Sequence, residues 1–513
     1  AGRMREVYKQ TILSTVNTLA DPWEITLGPD NKLWITESKG YRLYRMDPLS
    51  GARDTALDIS RNSTFLLPGD TSFNCQFTVA GVANPQGGFA GMALHPQFLD
   101  PVSPKNYVYV SYVRSFVSQN DPYGRIFINR LARFTFDPVT GKLHSPVSLC
   151  DTLPGSNDHN SQRMIIGPVD GTYYLFYASG DMGAGQFSNR LRPNRAQDSL
   201  SYEGKILRFN LESDGEGGLD GWIPNDNPYN SGSFQSAVWA IGIRNNQGFA
   251  YDSTLDILYG SSHGPYSDDE INIIERRKNY GHPIVIGYAA DNNYNGTTAG
   301  APLTDNGGVS SCPEITNEQG EASLIYNYKD PLFSAYAAPE AQITNIWQTN
   351  PGNGGWPSEG WSGLDLYQHT LIPGWHKSLV AASLKWGRLV RLRLYAGGDS
   401  IAKIGAADTA SYFGSINRFR DLALTADGKD IYVIMDRSAT TSGPSFANPV
   451  IPACGGCVQK YSFIGYADVG GKSNIPPTIN ISAGIDNSVA PATTVTIDSE
   501  NSHYWVPITG PDG

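Results

Sequence analysis

Short apolar runs alternate with polar turns along most of this chain, and one phrase recurs. An apolar run leads into a turn rich in Pro, Asp, Asn or Gly, and a second run with Tyr or Trp follows. Clear copies begin at Glu24, Gly91, Arg163, Gln247 and Asp421. Short runs bounded by turn residues predict β-hairpins rather than helices.

The copies are about 65 to 85 residues apart, except for one gap about twice that length. Inside that gap, LVAASLKWGRLVRLRL (379–394) forms a degenerate sixth copy. Most copies are followed by another strand of mixed charge, such as RLARFTFDP. Hairpin units at this period predict an all-β chain folded as a six-bladed β-propeller, and a sandwich does not explain the period.

Long segments between the predicted strands are expected to be loops on the propeller faces, where sites are usually built. They are 52–90, 183–200, 212–235 and 289–345. After QKYSFIGY (459–466) the composition shifts to Pro, Ser, Thr and Asn. We therefore expect the propeller over 1–466 and a linker with the start of an Ig-like (PKD-type) module, for display or spacing, over 467–513.

Composition narrows the partners. Charged residues are 17% of 513, the formal net charge is −11, and there is no long basic run. Nucleic acid is therefore not an expected partner. No apolar stretch approaches the roughly 20 residues that span a bilayer. The chain begins AGRMREVYKQ, without a charged-then-apolar leader, which fits a cytoplasmic protein or one whose signal peptide has been removed.

The CGGC segment (454–457) holds two of the five cysteines. It is compatible with half of a metal site, a redox pair or a tight disulfide, but no second CxxC completes a zinc site and no His follows to attach haem. A disulfide between Cys454 and Cys457 is the favoured interpretation. It predicts an exported protein, whether periplasmic, secreted or on the cell surface.

One histidine stands out as a candidate base. LPGSNDHNSQRMIIGP (153–168) places His159 directly after Asp158, among small polar residues. A carboxylate beside an imidazole holds it in one tautomer and raises its basicity. The alternative is a loop histidine that caps a turn.

Cations occur at corresponding places in separate repeats. GIRNNQG (242–248) carries Arg244 and Asn245, SLKWGR (383–388) carries Lys385, and NRFRD (417–421) carries Arg418 and Arg420. The two arginines of NRFRD alternate, so they share one side of a strand and repel each other unless an anion lies between them. Convergence of these cations predicts a pocket for a small multi-carboxylate or phosphorylated molecule, whereas rim ion pairs and a solvated lysine are the alternatives.

An acidic turn is a candidate cation site. HGPYSDDEIN (263–272) combines a Gly-Pro bend, which exposes carbonyls, with several carboxylates. Ca²⁺ prefers such oxygen ligands, although a solvated acidic loop has the same composition.

Taken in order, these segments resemble the soluble PQQ-dependent glucose/sorbosone dehydrogenases (aldose sugar dehydrogenase-like), six-bladed propellers that oxidise sugars. The resemblance runs from about Asn17 to Phe463. The matching segments are LGPDNKLWITE, PQGGFAGMALHP, LPGSNDHNSQRMIIGP, GKILRFNL, IRNNQGFA, HGPYSDDEIN, NYGHP, SLKWGR and NRFRD.

The resemblance implies a role for each matched residue. His159 is the general base that takes the proton of the anomeric hydroxyl, and Asp158 orients it. Gln86 lies beside substrate and cofactor. Arg244 and Asn245 lie at the reactive quinone carbonyl.

It also implies the binding residues of two cofactors. Those for PQQ are Lys385, Arg418 and Arg420 at its three carboxylates, with Trp356 stacking on it and Ser358 bonding to it. Those for Ca²⁺ are the carbonyls of Gly264 and Pro265 at the catalytic ion, and Glu270 with the Tyr280 carbonyl at a structural ion.

The implied activity is oxidation of an aldose, or a related sugar aldehyde or polyol, to the lactone or acid. Hydride passes to C5 of PQQ and electrons leave to an external acceptor. Met182 and Asn353 depart from the residues expected near the sugar, so cofactor binding is better supported than glucose specificity. A non-catalytic carbohydrate-binding or adhesive propeller and a propeller lactonase are the alternative functions, and a homodimer is compatible with the sequence.

Overall fold

The computed structural model describes residues 4–60, 86–117, 119, 125–185, 189, 192–217, 219–231, 234–265, 267–291, 317–349, 357–437 and 453–468. Within these residues the strands form six antiparallel sheets, each built from consecutive strands with one exception. The prediction of a six-bladed β-propeller is confirmed.

The first three blades follow one another along the chain after an initial strand. The initial strand is β1 (Met4–Ser14), and blade one consists of β2 (Pro22–Leu27), β3 (Leu33–Glu37), β4 (Arg42–Met46) and β5 (Arg53–Asp58). Blade two consists of β6 (Phe89–Leu94), β7 (Tyr107–Val117), β8 (Arg125–Asp137) and β9 (Lys142–Pro154). Blade three consists of β10 (Ser161–Val169), β11 (Thr172–Ser179), β12 (Lys205–Asn210) and β13 (Val238–Ile241).

The last three blades include the only two α-helices of the described residues. In and beside blade four are β14 (Asn246–Asp252), β15 (Ile257–Ser262), β16 (Asp269–Ile274), a short 3-10 helix (Ala289–Asp291), α1 (Glu318–Leu324), β17 (Phe333–Ala335) and α2 (Glu340–Thr349). Blade five consists of β18 (Trp361–Tyr367), β19 (Ser378–Ser383), β20 (Arg388–Leu394), β21 (Ile401–Ala402) and β22 (Thr409–Tyr412). Blade six contains β23 (Arg418–Leu424), β24 (Asp430–Asp436) and β25 (Val458–Asp468).

The exception to consecutive pairing closes the ring. β1 pairs antiparallel with β25, with Met4 opposite Asp468, and becomes the outer strand of blade six. The first strand therefore holds the last blade in place. The repeat pattern did not predict this exchange, because β1 precedes the first copy of the phrase.

Large apolar side chains fill the spaces between neighbouring blades. Trp34 of blade one is fully buried and meets Phe98 and Phe136 of blade two edge-to-face, with ring centroids 5.4 and 5.2 Å apart. Burial of such rings contributes roughly 25 cal/mol per Å² of apolar surface, which stabilises adjacent blades against each other.

The segment 379–394 is a pair of strands, as predicted. It supplies β19 and β20, the second and third strands of blade five, and the inner strand is Trp361–Tyr367. The predicted loops were wrong at two places. Two predicted loops contain regular structure, since 52–90 includes β5, and 289–345 includes the 3-10 helix, α1, β17 and the start of α2. β5 pairs along the edge of β4, and the side chain of Asn317 caps α1, so local contacts order these segments.

The two faces of the propeller follow from the strand directions. In every blade the inner strand begins at the same face at which the second strand ends, because successive strands are antiparallel. We call this the site face. The other, which we call the opposite face, carries the hairpins between first and second strands.

Cys454 and Cys457 form a disulfide, as predicted. No helix among the described residues is long and apolar enough to cross a membrane. β25 ends at Asp468, and the predicted Ig-like module lies outside the described residues from 469 onward.

Candidate active site

His159 lies on the site face, just before the inner strand of blade three, and is 4% exposed. Its Nδ1 lies 2.7 Å from Oδ1 of Asp181. Asp158, expected to orient the ring, accepts a hydrogen bond from the backbone N–H of His159 at 3.0 Å, and its Oδ1 is 3.8 Å from Nε2. The direct partner of the ring is therefore Asp181, which the sequence reasoning missed.

Asp181 connects two histidines. Its Oδ2 lies 2.9 Å from Nε2 of His282. Burial alone would raise the pKa of Asp181, but His159 and His282 outweigh burial and hold that pKa well below its usual range. Burial also lowers the pKa of His282, although Asp181 acts in the opposite sense. Asp181 is therefore a buried carboxylate that stays ionised between two imidazoles.

The backbone around His159 is strained. His159, Ser161 and Gln162 have φ of 45°, 56° and 69°, and Met182, beside Asp181, has φ of 61°. Left-handed conformations cost non-glycine residues about 1–2 kcal/mol each. Strain of this kind clusters at functional sites.

Arg244 and Asn245 precede the inner strand of blade four. Arg244 Nη1 donates to the carbonyls of Gly264 and His263, at 2.9 and 3.3 Å, and the Arg244 carbonyl accepts the N–H of Asp181 at 2.8 Å. Asn245 accepts a hydrogen bond from Ser161 through Oδ1, but its fully buried Nδ2 has no partner among the described residues. A buried amide donor without a partner is costly, and a ligand acceptor would satisfy it.

Asp269 ties the Gly264 turn to blade five. It accepts the N–H of Gly264 at 2.8 Å, the hydroxyl of Ser358 at 2.8 Å and the N–H groups of Glu359 and Gly360 at 2.5 and 3.0 Å. Burial raises its pKa, and these hydrogen bonds oppose that shift. Contacts therefore run without a break from His159 through Asp181, Arg244, Gly264 and Asp269 to Ser358.

Lys385 lies in the site-face turn between β19 and β20 and is buried. Burial lowers the pKa of its ammonium, while the nearby carboxylates of Asp269 and Glu359 raise it. Its position places a third cation of this face beside the segment that carries Ser358.

Arg418 and Arg420 begin the inner strand of blade six and share one carboxylate. Arg420 Nε and Nη2 bind the two oxygens of Asp436 at 3.0 and 2.5 Å, and Arg418 Nε lies 3.6 Å from Asp436 Oδ2. Burial lowers the pKa of Arg418 to about 10. The anion that their alternation requires is thus supplied in this structure by Asp436, at the end of β24.

Several charged groups of the site face affect His263. Burial lowers the pKa of His263 well below its usual value, and the charges of Arg244, His159 and Arg420 lower it further. Arg244 of blade four and Arg420 of blade six therefore both act on one histidine of the site face. The sequence predicted that Arg244, Lys385, Arg418 and Arg420 converge, and the convergence of all four stays a prediction.

Four sequence-predicted positions add less. Gln86 is half-buried, and its backbone bonds the carbonyl of Asn157 and the side chain of Asn160 at 2.9 and 2.8 Å. Met182 is fully buried beside Asp181. Trp356 and Asn353 lie outside the described residues.

The predicted calcium sites rest mainly on backbone oxygen. A side chain at Gly264 would lie 1.8 Å from the Ser267 carbonyl, so only glycine permits this turn, which Pro265 continues. No group of three His, Cys, Asp or Glu side chains in the described residues is arranged to hold a metal. An ion at the turn would therefore need carbonyl ligands and a ligand of its own cofactor.

Glu270 lies at the second predicted site. It accepts the N–H of Gly287 at 3.1 Å and the amide of Asn272 at 2.9 Å. Burial raises its pKa to about 7, and Asp269 and Asp330 add to the shift. Tyr280 donates its hydroxyl to the Ile273 carbonyl at 2.6 Å.

Comparison with known proteins identifies the family of this chain. The model of the glucose/sorbosone dehydrogenase family matches residues 19–339. The chain belongs to this family. Quinoprotein glucose dehydrogenase B of Acinetobacter calcoaceticus is 31% identical over 457 residues, 83% of this chain and 85% of that protein. Aldose sugar dehydrogenase YliI of Escherichia coli K12 is 28% identical over 286 residues, 55% of this chain and 59% of that protein.

Solved structures share the fold of this glucose/sorbosone dehydrogenase family member. The PQQ-bound aldose sugar dehydrogenase of Streptomyces coelicolor superposes with a TM-score of 0.54 at 21% identity, covering 90% of this chain and 99% of that one. The predicted enzyme class, an oxidoreductase, is confirmed by family membership.

Proposed function

We propose that this protein is a PQQ- and Ca²⁺-dependent dehydrogenase that oxidises an aldose, or a related sugar aldehyde or polyol, to the lactone or acid. The observation that carries the proposal is the hydrogen bond between His159 Nδ1 and the ionised Asp181 on the site face, where Arg244 and Arg420 both act on His263. A base beside converging cations suits removal of a proton next to a polyanionic cofactor.

His159 is the proposed general base. Asp181 accepts a hydrogen bond from the Nδ1–H group of His159. The lone pair on Nε2 can then take the hydroxyl proton of the substrate. Once His159 is protonated, the same carboxylate stabilises the imidazolium. The bond between Arg244 and the Gly264 carbonyl fixes a positive charge next to this base, where negative charge on the reacting carbonyl would develop.

The donor set fits a tricarboxylate quinone. Lys385, Arg418 and Arg420 supply cations for carboxylates, and Asn245 Nδ2 is a buried donor that awaits an acceptor. When bound, PQQ supplies the redox chemistry by accepting the hydride. Ser358 and the predicted stacking residue Trp356 would hold it from blade five, and Gln86 from the entry to blade two.

Calcium is assigned to two places by the same reasoning. The carbonyls of Gly264 and Pro265 would hold a catalytic ion together with the cofactor. The second place is at Glu270 and the Tyr280 carbonyl, and Glu318 is a further acid near Glu270. Burial and neighbouring carboxylates, Glu270 among them, raise the pKa of Glu318 to about 10. A bound divalent cation would relieve that repulsion.

The remaining calls stay predictions. These are the sugar itself, the external electron acceptor, a homodimer and export from the cytoplasm. The lactonase alternative does not account for the arginine pair Arg418 and Arg420, which such a site does not need. The adhesive alternative does not account for the ionised Asp181 behind His159.

Reconstitution tests the proposal. The purified protein is incubated with PQQ and CaCl₂, and dye reduction is followed with a panel of aldoses. We expect turnover with at least one sugar, loss of turnover in His159→Gln with PQQ binding retained, and normal turnover in the control His144→Gln, since His144 is exposed on β9. Absence of both turnover and a PQQ spectral change would overturn the assignment.

A further inference from the structure

A second cavity opens on the opposite face of the propeller, on its axis. Its volume is about 530 Å³, and every blade contributes to its wall. Each inner strand contributes apolar residues to the lining, which include Leu27, Leu94, Ile166, Phe249, Leu364 and Leu424. The hairpins of the opposite face add Pro29, Pro96 and Tyr173 at the rim.

Arg163 separates this cavity from the site face. From β10 its Nη1 binds Glu24 of β2 and, at 2.8 Å, Asp421 of β23, while Nε donates to the Gln247 carbonyl of β14 at 2.6 Å. One side chain thus joins four of the six inner strands, which places it across the axis. A ligand in the cavity would not share space with a ligand bound by Arg418 and Arg420.

The charges of the cavity wall do not balance. Glu24, Asp365 and Asp421 line the cavity with Arg163 as the only cation among its lining residues, all of which are described. Arg163 is occupied by Glu24 and Asp421. Asp365 accepts a hydrogen bond from the Leu366 N–H at 2.7 Å. Among the described residues, no Lys, Arg or His forms an ion pair with Asp365.

The pKa values of two of these carboxyls are raised. Burial raises the pKa of Asp365 to about 7 and, despite Arg163, that of Glu24 to about 8, and Asp421 adds to both shifts. A positive group in the cavity would replace a proton on Asp365. A metal ion fits poorly, since no three acidic or histidine side chains of the described chain are arranged to hold one.

We propose that the opposite-face cavity binds a small organic cation, a primary ammonium group carried on an apolar body, with Asp365 as its counter-ion. The apolar side chains of the inner strands take the body, and Asp365, which follows Leu364 on β18, takes the ammonium. The site is independent of the proposed dehydrogenase chemistry.

The test uses the full chain at pH 6.5, below the pKa of Asp365, with benzylammonium as the probe and benzyl alcohol as its neutral counterpart, and binding is measured calorimetrically. We expect benzylammonium to bind about tenfold more tightly or better, as a charge-assisted hydrogen bond requires. Repetition in buffers of different ionisation enthalpy is expected to show proton release. Equal binding of both probes, or binding of neither, would overturn the proposal.

Two variants localise the site. Asp365→Asn is expected to remove the preference for benzylammonium, and Leu94→Trp, which fills the rim, is expected to weaken both probes even if Asp365→Asn fails to fold. Asp54→Asn, exposed on the outer strand β5 of blade one, is the matched control and keeps the affinity of the parent protein. Unchanged binding in Asp365→Asn, or displacement of the probe by CaCl₂, contradicts an ammonium site at this residue.

Discussion

Asp181 Oδ1 lies 2.7 Å from His159 Nδ1, although the two residues belong to different loops of blade three. The contact turns a loop histidine into an oriented base, because a buried and ionised carboxylate fixes the proton on Nδ1. Asp158, the neighbour in sequence, binds the backbone instead.

Asp181→Asn is expected to lower kcat by about 10²- to 10⁴-fold, the range that a positioned base contributes. Binding of PQQ, followed by its absorbance change, is expected to stay within a few-fold of the parent protein, since Asp181 contacts Arg244 through its backbone N–H, which the substitution keeps. Asp54→Asn again serves as the control. A variant that retains most of its turnover would assign the orientation of His159 to Asp158.

Replacement of Asp436 is expected to change stability and cofactor affinity in opposite directions. It neutralises Arg418 and Arg420 in the absence of a ligand. Asp436→Asn is therefore expected to lower Tm without PQQ, since two buried guanidinium groups lose their counter-ion. Added PQQ is expected to raise Tm more in this variant than in the parent protein, because its carboxylates no longer compete with Asp436. An unchanged PQQ response would mean that the arginines do not bind those carboxylates.

Sequence periodicity predicted the propeller because each blade buries the same apolar hairpin against its neighbours. It missed β18 as the inner strand of blade five, since Gly363 and Asp365 interrupt the apolar run of WSGLDLY. It missed β1 as a strand of blade six because pairing between the two ends of the chain leaves no local pattern.

The site was predictable to the extent that its residues lie in short motifs. His159, Arg244 and Arg420 were found in this way. Asp181 and Asp436 were not, because their partners come from other strands, and only the register of the fold brings them together. A usable signal existed, since both aspartates follow or end the second strand of a blade, at the site face.

Calcium removal is expected to destabilise the protein through Glu270. A ligand present at 100 times its Kd stabilises the native state by about 2.7 kcal/mol, so addition of CaCl₂ after chelation is expected to raise Tm measurably. Glu270→Gln is expected to weaken this response and Glu216→Gln, on the surface loop after β12, to leave it unchanged. A full response in Glu270→Gln would place the stabilising ion elsewhere.

Asp365 predicts a pH dependence of stability with a definite sign. Its folded pKa of about 7 lies above the unfolded value of about 4, so the folded protein binds the additional proton. The stability that this proton contributes is fully present below about pH 4 and is lost as pH rises through about 7. Asp365→Asn keeps a neutral side chain and is therefore expected to lose less stability between pH 5 and pH 8 in urea unfolding. Parallel pH profiles of the variant and the parent protein would show that Asp365 is already ionised in the cavity at pH 5.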